Sequence, residues 1–176
     1  MEPAERQSHF DSWTSEHASI LRRTAQAFAR GADRDDLMQE LLLAVWRAVP
    51  AFRRDAAVAT FLYRVTHNAA LTWYRGQRNR RDREETVRVE LGRSSGALPP
   101  TTPLDDDGTV EARRLALLYD AIHRLAPLDR SLVLLSLDGV PYAEIGALHG
   151  LSESNVGARL TRARKALTDQ LLGDSR

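Results

Sequence analysis

Apolar side chains recur every three or four positions along most of the chain, which is the spacing of one face of an α-helix. The longest stripe lies near the carboxyl end, at Val156, Leu160, Ala163, Leu167 and Leu171. Five further helices are predicted by similar patterns, over 9–32, 34–49, 60–78, 113–125 and 128–137. The pattern therefore predicts an all-α fold.

Residues 140–172 have the pattern of two helices joined by a tight turn. Pro141 suits the first turn of a helix, because it has no N–H group to leave unpaired there. Gly150 can turn the chain in a left-handed conformation. Ser152 can then cap the second helix, since its oxygen can accept from a free backbone N–H.

The second of these helices carries basic residues off its apolar stripe. They are Arg159, Arg162, Arg164 and Lys165. A short helix, a turn and a longer basic helix are typical of a helix-turn-helix, whose second helix fits the major groove while its cations meet phosphates. The spacing alone leaves open a plain αα-hairpin with a solvated basic face.

The helix predicted over 34–49 begins with a polar, acidic stretch. Asp33 is a candidate cap, and the polar residues that follow are Asp35, Asp36, Gln39 and Glu40. Acidic side chains near a helix start are stabilised by the helix dipole. No histidine or nucleophile accompanies them, so we expect no active site here.

The helix predicted over 60–78 ends in aromatic and basic residues. Trp73 and Tyr74 stand beside Arg75, Arg78 and further arginines. This mixture suits unpaired nucleic acid, because rings stack on exposed bases while guanidinium groups follow phosphates. A core tryptophan followed by a solvated basic tail is an equally good interpretation of the segment by itself.

Residues 83–112 lack a sustained apolar period and are rich in glycine, proline and aspartate. They predict a flexible linker between two small helical domains, 1–82 and 113–176, the second of them a four-helix domain. As a coil the linker would span roughly 30 Å, and at most about 100 Å when extended.

The composition excludes several classes of protein. The 176 residues include no cysteine, so there is no disulfide framework and no thiolate metal site. No run of 18 apolar residues is present, and the amino end, MEPAERQSHFDSW, has no signal-peptide pattern. We therefore expect a cytoplasmic protein without membrane insertion. We also expect no cofactor and no enzyme activity, because no nucleophile–base pair, phosphate loop or metal cluster is visible.

Three segments together resemble a known family, the bacterial RNA polymerase sigma factors of the extracytoplasmic-function type within the sigma-70 family. The segments are DRDDLMQELLLAVWRAVPAF, TFLYRVTHNAALTWYRGQRNRR and GVPYAEIGALHGLSESNVGARLTRARKAL. They stand in the family's order and are separated by a variable linker, which makes the combination far more specific than any one segment. The resemblance covers about 9–82 and 113–172.

The resemblance implies three binding surfaces. The surface for the β′ clamp helices of the polymerase core would comprise Asp36, Leu37, Gln39 and Glu40. The surface for the minus-ten element, including a flipped base, would comprise Arg54, Asn68, Trp73, Tyr74, Arg75 and Arg78. The surface for the minus-thirty-five element would comprise Ser154, Asn155, Arg159, Thr161, Arg162 and Lys165.

The implied function is to bind RNA polymerase core, through its β′ clamp helices and β flap, and to direct promoter recognition and DNA melting. The implied partners also include promoter DNA and an anti-sigma factor. Gly157 and Ala158 depart from the family pattern, which often has a basic residue and then serine there. Gly76 likewise interrupts what is commonly a run of arginines. The alternatives are a stand-alone helix-turn-helix regulator that binds duplex DNA as a dimer and an adaptor that binds polymerase without touching DNA.

Overall fold

The computed structural model describes residues 2–53, 57–90 and 109–173, and these residues are helical with short connections. The N-terminal half comprises α1 (Pro3–Glu16), α2 (Ala18–Phe28), α3 (Asp33–Ala48) and α4 (Val58–Glu90). The C-terminal half comprises α5 (Val110–His123), α6 (Pro127–Leu137), α7 (Tyr142–His149) and α8 (Glu153–Gly173). The all-α prediction is confirmed.

The prediction of a single helix over 9–32 is wrong, because the structure has two helices there. They meet at His17, whose φ of −113° and ψ of 24° lie outside the helical region. The break lets α1 turn Trp13 onto Phe52 and Phe61, with ring centroids 4.9 and 5.9 Å apart. We infer that one unbroken helix could not pack against this aromatic cluster and also bury the apolar face of α2.

The sequence predicts that the helix beginning at 60 ends at Arg78 and that the linker begins at 83. In the structure this helix, α4, continues to Glu90. No apolar stripe extends it. Arginine and glutamate are good helix formers, and Arg78 lies 3.9 Å from Asp82 in an i,i+4 ion pair. The predicted linker also ends early, since α5 begins at Val110, where Thr109 Oγ1 accepts from the N–H of Ala112. Positions 91–108 lie outside the described residues.

Three helix starts test the predicted caps. Ser152 Oγ accepts from the N–H of Asn155, and Gly150 has a φ of 68°, so both predictions for this turn are confirmed. Pro141 is the extended N-cap of α7 rather than its first helical residue. Asp33 is the first residue of α3, and Ala32 takes the cap position.

The core joins both halves of the chain. In the N-terminal half α2, α3 and α4 pack together, and in the C-terminal half α5, α6 and α7 pack on α8. Across the halves, α2 packs against α5 and α6, and α4 packs against α6. We call this contact between the halves, with the adjoining end of α7, the seam. Most predicted core residues of the C-terminal half are buried, whereas Leu118 and Leu148 are half-buried.

Candidate polymerase and nucleic-acid interfaces

The turn between α7 and α8 depends on a glycine that the sequence analysis did not single out. Gly146 is buried in α7, and the N–H of Leu151 donates to its carbonyl oxygen at 2.9 Å. A Cβ atom at Gly146 would lie 2.5 Å from the backbone oxygen of Leu151. The turn can therefore approach α7 this closely only because residue 146 has no side chain.

The exposed face of α8 carries most of the residues predicted to bind the minus-thirty-five element. They are Ser154, Asn155, Thr161, Arg162 and Lys165. The Thr161 hydroxyl donates to the carbonyl of Gly157 at 2.9 Å, so its hydrogen is engaged within the helix. The two departures from the family pattern also reach this face, Ala158 as an exposed methyl group and Gly157 half-buried against Tyr142.

The four basic residues of α8 divide into two pairs. Arg159 is 31% exposed and its Nη1 lies 2.8 Å from Asp129 of α6, so it braces α8 against its own half. Arg164 donates to Ser136 at 2.9 Å and to the Tyr142 hydroxyl at 3.2 Å. Arg162 and Lys165 are exposed, and they are the pair best placed to meet phosphates.

A groove of about 500 Å³ lies between α3 and α4. It brings together Glu40, from the predicted polymerase surface, and Asn68 and Trp73, from the predicted minus-ten surface. Asn68 is exposed and Trp73 is half-buried, and both side chains line the groove. Arg47 and Arg80 add positive charge to its walls.

The remaining predicted minus-ten residues lie in different surroundings. Arg75 and Arg78 are exposed on α4. Tyr74 is half-buried, and the guanidinium carbon of Arg130 lies 4.8 Å from its ring centroid. Tyr74 therefore faces α6 in this structure, and Arg54 lies outside the described residues.

The predicted polymerase surface follows the amino end of α3. Asp36, Gln39 and Glu40 are exposed, whereas Leu37 is fully buried and packs in the core. Leu37 therefore supports the helix and offers no surface to a partner. Arg81 of α4 lies 3.1 Å from Asp33, which ties the start of α3 to the basic end of α4.

Burial shifts the pKa of several side chains along the seam. Desolvation, with a smaller effect of the Asp138 charge, raises the pKa of Tyr63 to about 12. Desolvation lowers the pKa of His67 to about 3, with a smaller effect from His149, and it also lowers the pKa of His149. These groups are uncharged near neutral pH, as burial between two helical layers requires.

Two further features of the described residues bear on the class of site. Within the described ranges, no group of three or more histidine and acidic side chains is placed to hold a metal ion. None of the helices described combines the length and apolar character needed to span a membrane.

Comparison with known proteins gives consistent matches to both halves. The family model for sigma-70 region 2 matches residues 13–80, and that for sigma-70 region 4 matches 115–167. The chain is 30% identical over 171 residues to the ECF RNA polymerase sigma factor SigM of Mycobacterium tuberculosis, covering 93% of this chain and 77% of that protein. It is 29% identical over 157 residues to the ECF RNA polymerase sigma-E factor of Escherichia coli K12, covering 88% and 80%.

A solved structure has the same fold. It is that of the sigma factor RpoE in complex with the anti-sigma factor NepR from Bartonella quintana. The match has a TM-score of 0.62 at 22% identity and covers 91% of this chain and 96% of that one.

Proposed function

This chain belongs to the extracytoplasmic-function type of the sigma-70 family, and from that premise we propose how its two halves divide the work of a sigma factor. The protein binds RNA polymerase core and directs transcription initiation. We assign core binding and the minus-ten element to a domain that runs from residue 1 to the end of α4. The minus-thirty-five element falls to the domain formed by α5–α8, and the segment between them is the linker.

The groove between α3 and α4 is the observation that carries this assignment. Glu40 stands on the wall that continues into the acidic start of α3, and Asn68 and Trp73 stand on the opposite wall. A polymerase bound along α3 would therefore hold the opening DNA strand against α4. The relatives are RNA polymerase sigma factors, so we propose a regulatory subunit and not an enzyme, acting in the cytoplasm beside the polymerase.

The start of α3 is the surface we propose for the polymerase core. Changing Gln39 and Glu40 together to lysine places positive charge where the parent offers a neutral amide and a carboxylate. A partner surface that complements the acidic start of α3 would be basic, and juxtaposed like charges at an interface are costly. We therefore expect the affinity for core enzyme to fall about tenfold or more. The measurement is a binding titration of core enzyme with labelled protein.

The matched control is the pair Gln7→Lys and Glu16→Lys on α1, which are exposed, of the same residue types and equal in charge change. This control should keep the parent affinity. If both double variants lowered the affinity for core enzyme equally, the effect would be one of overall charge, and the proposal that α3 forms the docking surface would be wrong.

The exposed face of α8 is the surface we propose for the minus-thirty-five element. Ser154 and Asn155 at its amino end are placed to reach base edges, while Arg162 and Lys165 meet phosphates. Replacing Arg162 and Lys165 by alanine should reduce the slope of log affinity against log salt by about one to two units, since each phosphate contact contributes about 0.9. Holoenzyme titrations on a promoter fragment at several salt concentrations measure the slope.

Arg159→Ala is the control for that slope. Its guanidinium is already paired with Asp129, so we propose that Arg159 positions α8 and that its loss leaves the slope near the parent value. An unchanged slope in the Arg162 and Lys165 double variant would show that these two residues do not contact phosphates.

Run-off transcription over a promoter library tests the whole proposal, with purified core enzyme in the presence and absence of the chain. A sigma factor gives specific transcripts only when both are present. Equal occupancy of target DNA without polymerase would instead indicate a stand-alone regulator, and polymerase binding without specific transcripts would indicate an adaptor. We also propose an anti-sigma factor as a further partner, since the structural neighbour RpoE is held by one.

A further inference from the structure

At the edges of the seam, polar contacts join the two halves of the protein. Arg23 Nη2 of α2 lies 2.6 Å from the Asp138 carboxylate, and Arg30 Nη2 lies 2.9 Å from Asp120 of α5. The Asp138 side chain is 9% exposed and also accepts from the Tyr63 hydroxyl of α4. Asp138 is therefore shared by two side chains of the opposite half.

The centre of the seam holds two histidines and a serine. Ser131 of α6 is fully buried, and its Oγ lies within hydrogen-bond distance of His67 Nδ1 of α4. The same oxygen lies 3.1 Å from His149 Nε2 of α7. A serine hydroxyl can donate to one imidazole and accept from the N–H of the other, so the three groups satisfy each other while both rings are neutral.

Among the residues that the structure describes, no carboxylate acts on His67 to balance a protonated ring at this point. The Phe28 and Tyr63 rings lie beside His67. Asp138 is occupied by Arg23 and Tyr63. A proton on His67 would therefore place a charge in a dry environment beside a second imidazole, which is unfavourable.

The other titratable groups along the seam act in the same direction or are engaged. His123 of α5 bonds to the backbone of Gln26, and burial with nearby Arg30, Arg130 and Arg34 disfavours its charged form. Arg130 of α6 donates to the Leu125 carbonyl at 2.9 Å and lies over Tyr74. Asp120 is paired with Arg30 at the exposed edge.

Closure covers part of the surface that we assign to DNA. Arg130 of the C-terminal half lies over Tyr74. Leu148 of α7 closes a cavity of about 390 Å³ whose other walls include Arg53, Phe61 and Arg64. These residues flank the connection to α4, which adjoins the proposed minus-ten surface.

The closed protein is also too small to reach both promoter elements. A compact chain of this length has a radius of gyration of about 16 Å. The positions that name the minus-ten and minus-thirty-five elements differ by about 25 base pairs, which is roughly 85 Å along duplex DNA at about 3.4 Å per base pair. Productive binding therefore requires the halves to separate.

We propose that the seam is an acid-sensitive latch: closure buries His67, Ser131 and His149 as an uncharged hydrogen-bonded chain, and protonation of the imidazoles opens the two halves. That opening frees the DNA-binding surfaces is a consequence that rests on the proposed function. The latch itself is a property of the chain alone.

The direction of the pH response follows from the sign of the shifts. Burial lowers the pKa of His67 to about 3 and that of His123 to about 4, below the usual 6.5, and the pKa of His149 is also lowered. Closure is therefore favoured in full above pH 6.5 and is lost as the pH falls below it toward the lowered values. Each histidine that titrates on opening weakens closure about tenfold per pH unit in this range.

Energy transfer between two dyes on the full chain measures the opening. The chain has no native cysteine, so Ser15→Cys on α1 and Asp169→Cys on α8, both at exposed positions, give one dye on each half. Between pH 7.5 and 5.5 we expect the open-to-closed ratio to rise at least tenfold, with helical circular dichroism unchanged. A constant ratio, or loss of helix in step with transfer, would overturn the latch.

Four variants test which groups carry the pH response. His149→Gln and His67→Gln should each flatten the pH response by about tenfold, while His9→Gln on α1, outside the seam, should leave it unchanged. Ser131→Ala removes only the bridging hydroxyl, so it should raise the open fraction severalfold at pH 7.5 and keep the pH slope. A full response in the variants at both 67 and 149 would also overturn the proposal.

This experiment contains neither polymerase nor DNA. A failed latch therefore leaves the sigma function untouched, and a chain inactive in run-off transcription leaves the latch measurement intact. The two proposals can thus fail separately.

Discussion

Gly146→Ala is expected to destabilise the protein by about 2–3 kcal/mol, because the added methyl group has no room. Its Cβ would lie 2.5 Å from the backbone oxygen of Leu151, and backbone cannot move aside as the end of a flexible side chain can. The chain must instead open the turn between α7 and α8. For a protein of this size the thermal midpoint should fall by roughly 5–10 °C.

Two other glycines provide matched controls in the same chain. A Cβ at Gly76 would meet nothing within 4 Å, and one at Gly157 would meet only the Tyr142 ring, at 3.7 Å. Gly76→Ala and Gly157→Ala should therefore stabilise their helices by up to about 1 kcal/mol, through helix propensity. If Gly146→Ala proved as stable as these two variants in thermal and urea unfolding, the turn would not depend on the close approach described here.

The same substitution should also weaken minus-thirty-five recognition beyond its effect on stability. Opening the turn changes the angle between α7 and α8, and base contacts require a fixed docking geometry. Gly157→Ala tests the opposite case, because it adds a methyl group to the helix that we propose binds DNA, without disturbing the turn. Comparing the promoter affinity of the two variants distinguishes a change in the geometry of the turn from a change on the second helix itself.

The apolar stripes made much of this fold predictable. Val156, Leu160 and Ala163 are buried along α8 at the spacing that predicted the helix. Gly150 and Ser152 serve the turn as their chemistry indicates. Local signals of this kind depend on residues a few positions apart, so they survive without knowledge of the rest of the structure.

Features set by distant contacts were not predictable. The break at His17 depends on where Trp13 meets Phe52 and Phe61, which no local pattern records. The role of Gly146 depends on the carbonyl of Leu151 folding back onto α7. The signal in the sequence is one glycine inside the short helix, in addition to the glycine of the turn, and glycine is unfavourable within a helix.

The candidate sites show the same division between residue type and residue position. Basic residues on α8 were predictable, but Asp129 engages Arg159, and that partner is 30 residues away in sequence. Leu37 shares a motif with exposed polar neighbours yet is fully buried. The seam was missed altogether because serine and histidine at 67, 131 and 149 acquire meaning only when three helices converge.

Replacing Asn68 and Trp73 together by alanine is expected to reduce open-complex formation about 10- to 100-fold while leaving core binding nearly intact. Base stacking on an aromatic ring contributes about 1–3 kcal/mol, and the Asn68 amide can add a hydrogen bond to an exposed base. Unpairing and unstacking a base costs a few kcal/mol. If the groove captures the base as we propose, the capture offsets that cost, and removing both groups should return the duplex to its closed form.

Fluorescence of a base analogue in the minus-ten element, with holoenzyme, measures the opening, and a titration of core enzyme measures docking. Trp73→Phe keeps a ring in the groove and should retain most of the activity, whereas Thr72→Ala changes an exposed neighbour on the same wall and should retain nearly all of it. Trp73 is half-buried against the core, so the double variant also requires an unfolding measurement. Equal losses of promoter opening and of core binding would indicate a folding defect and would contradict the proposal that the groove binds the DNA strand.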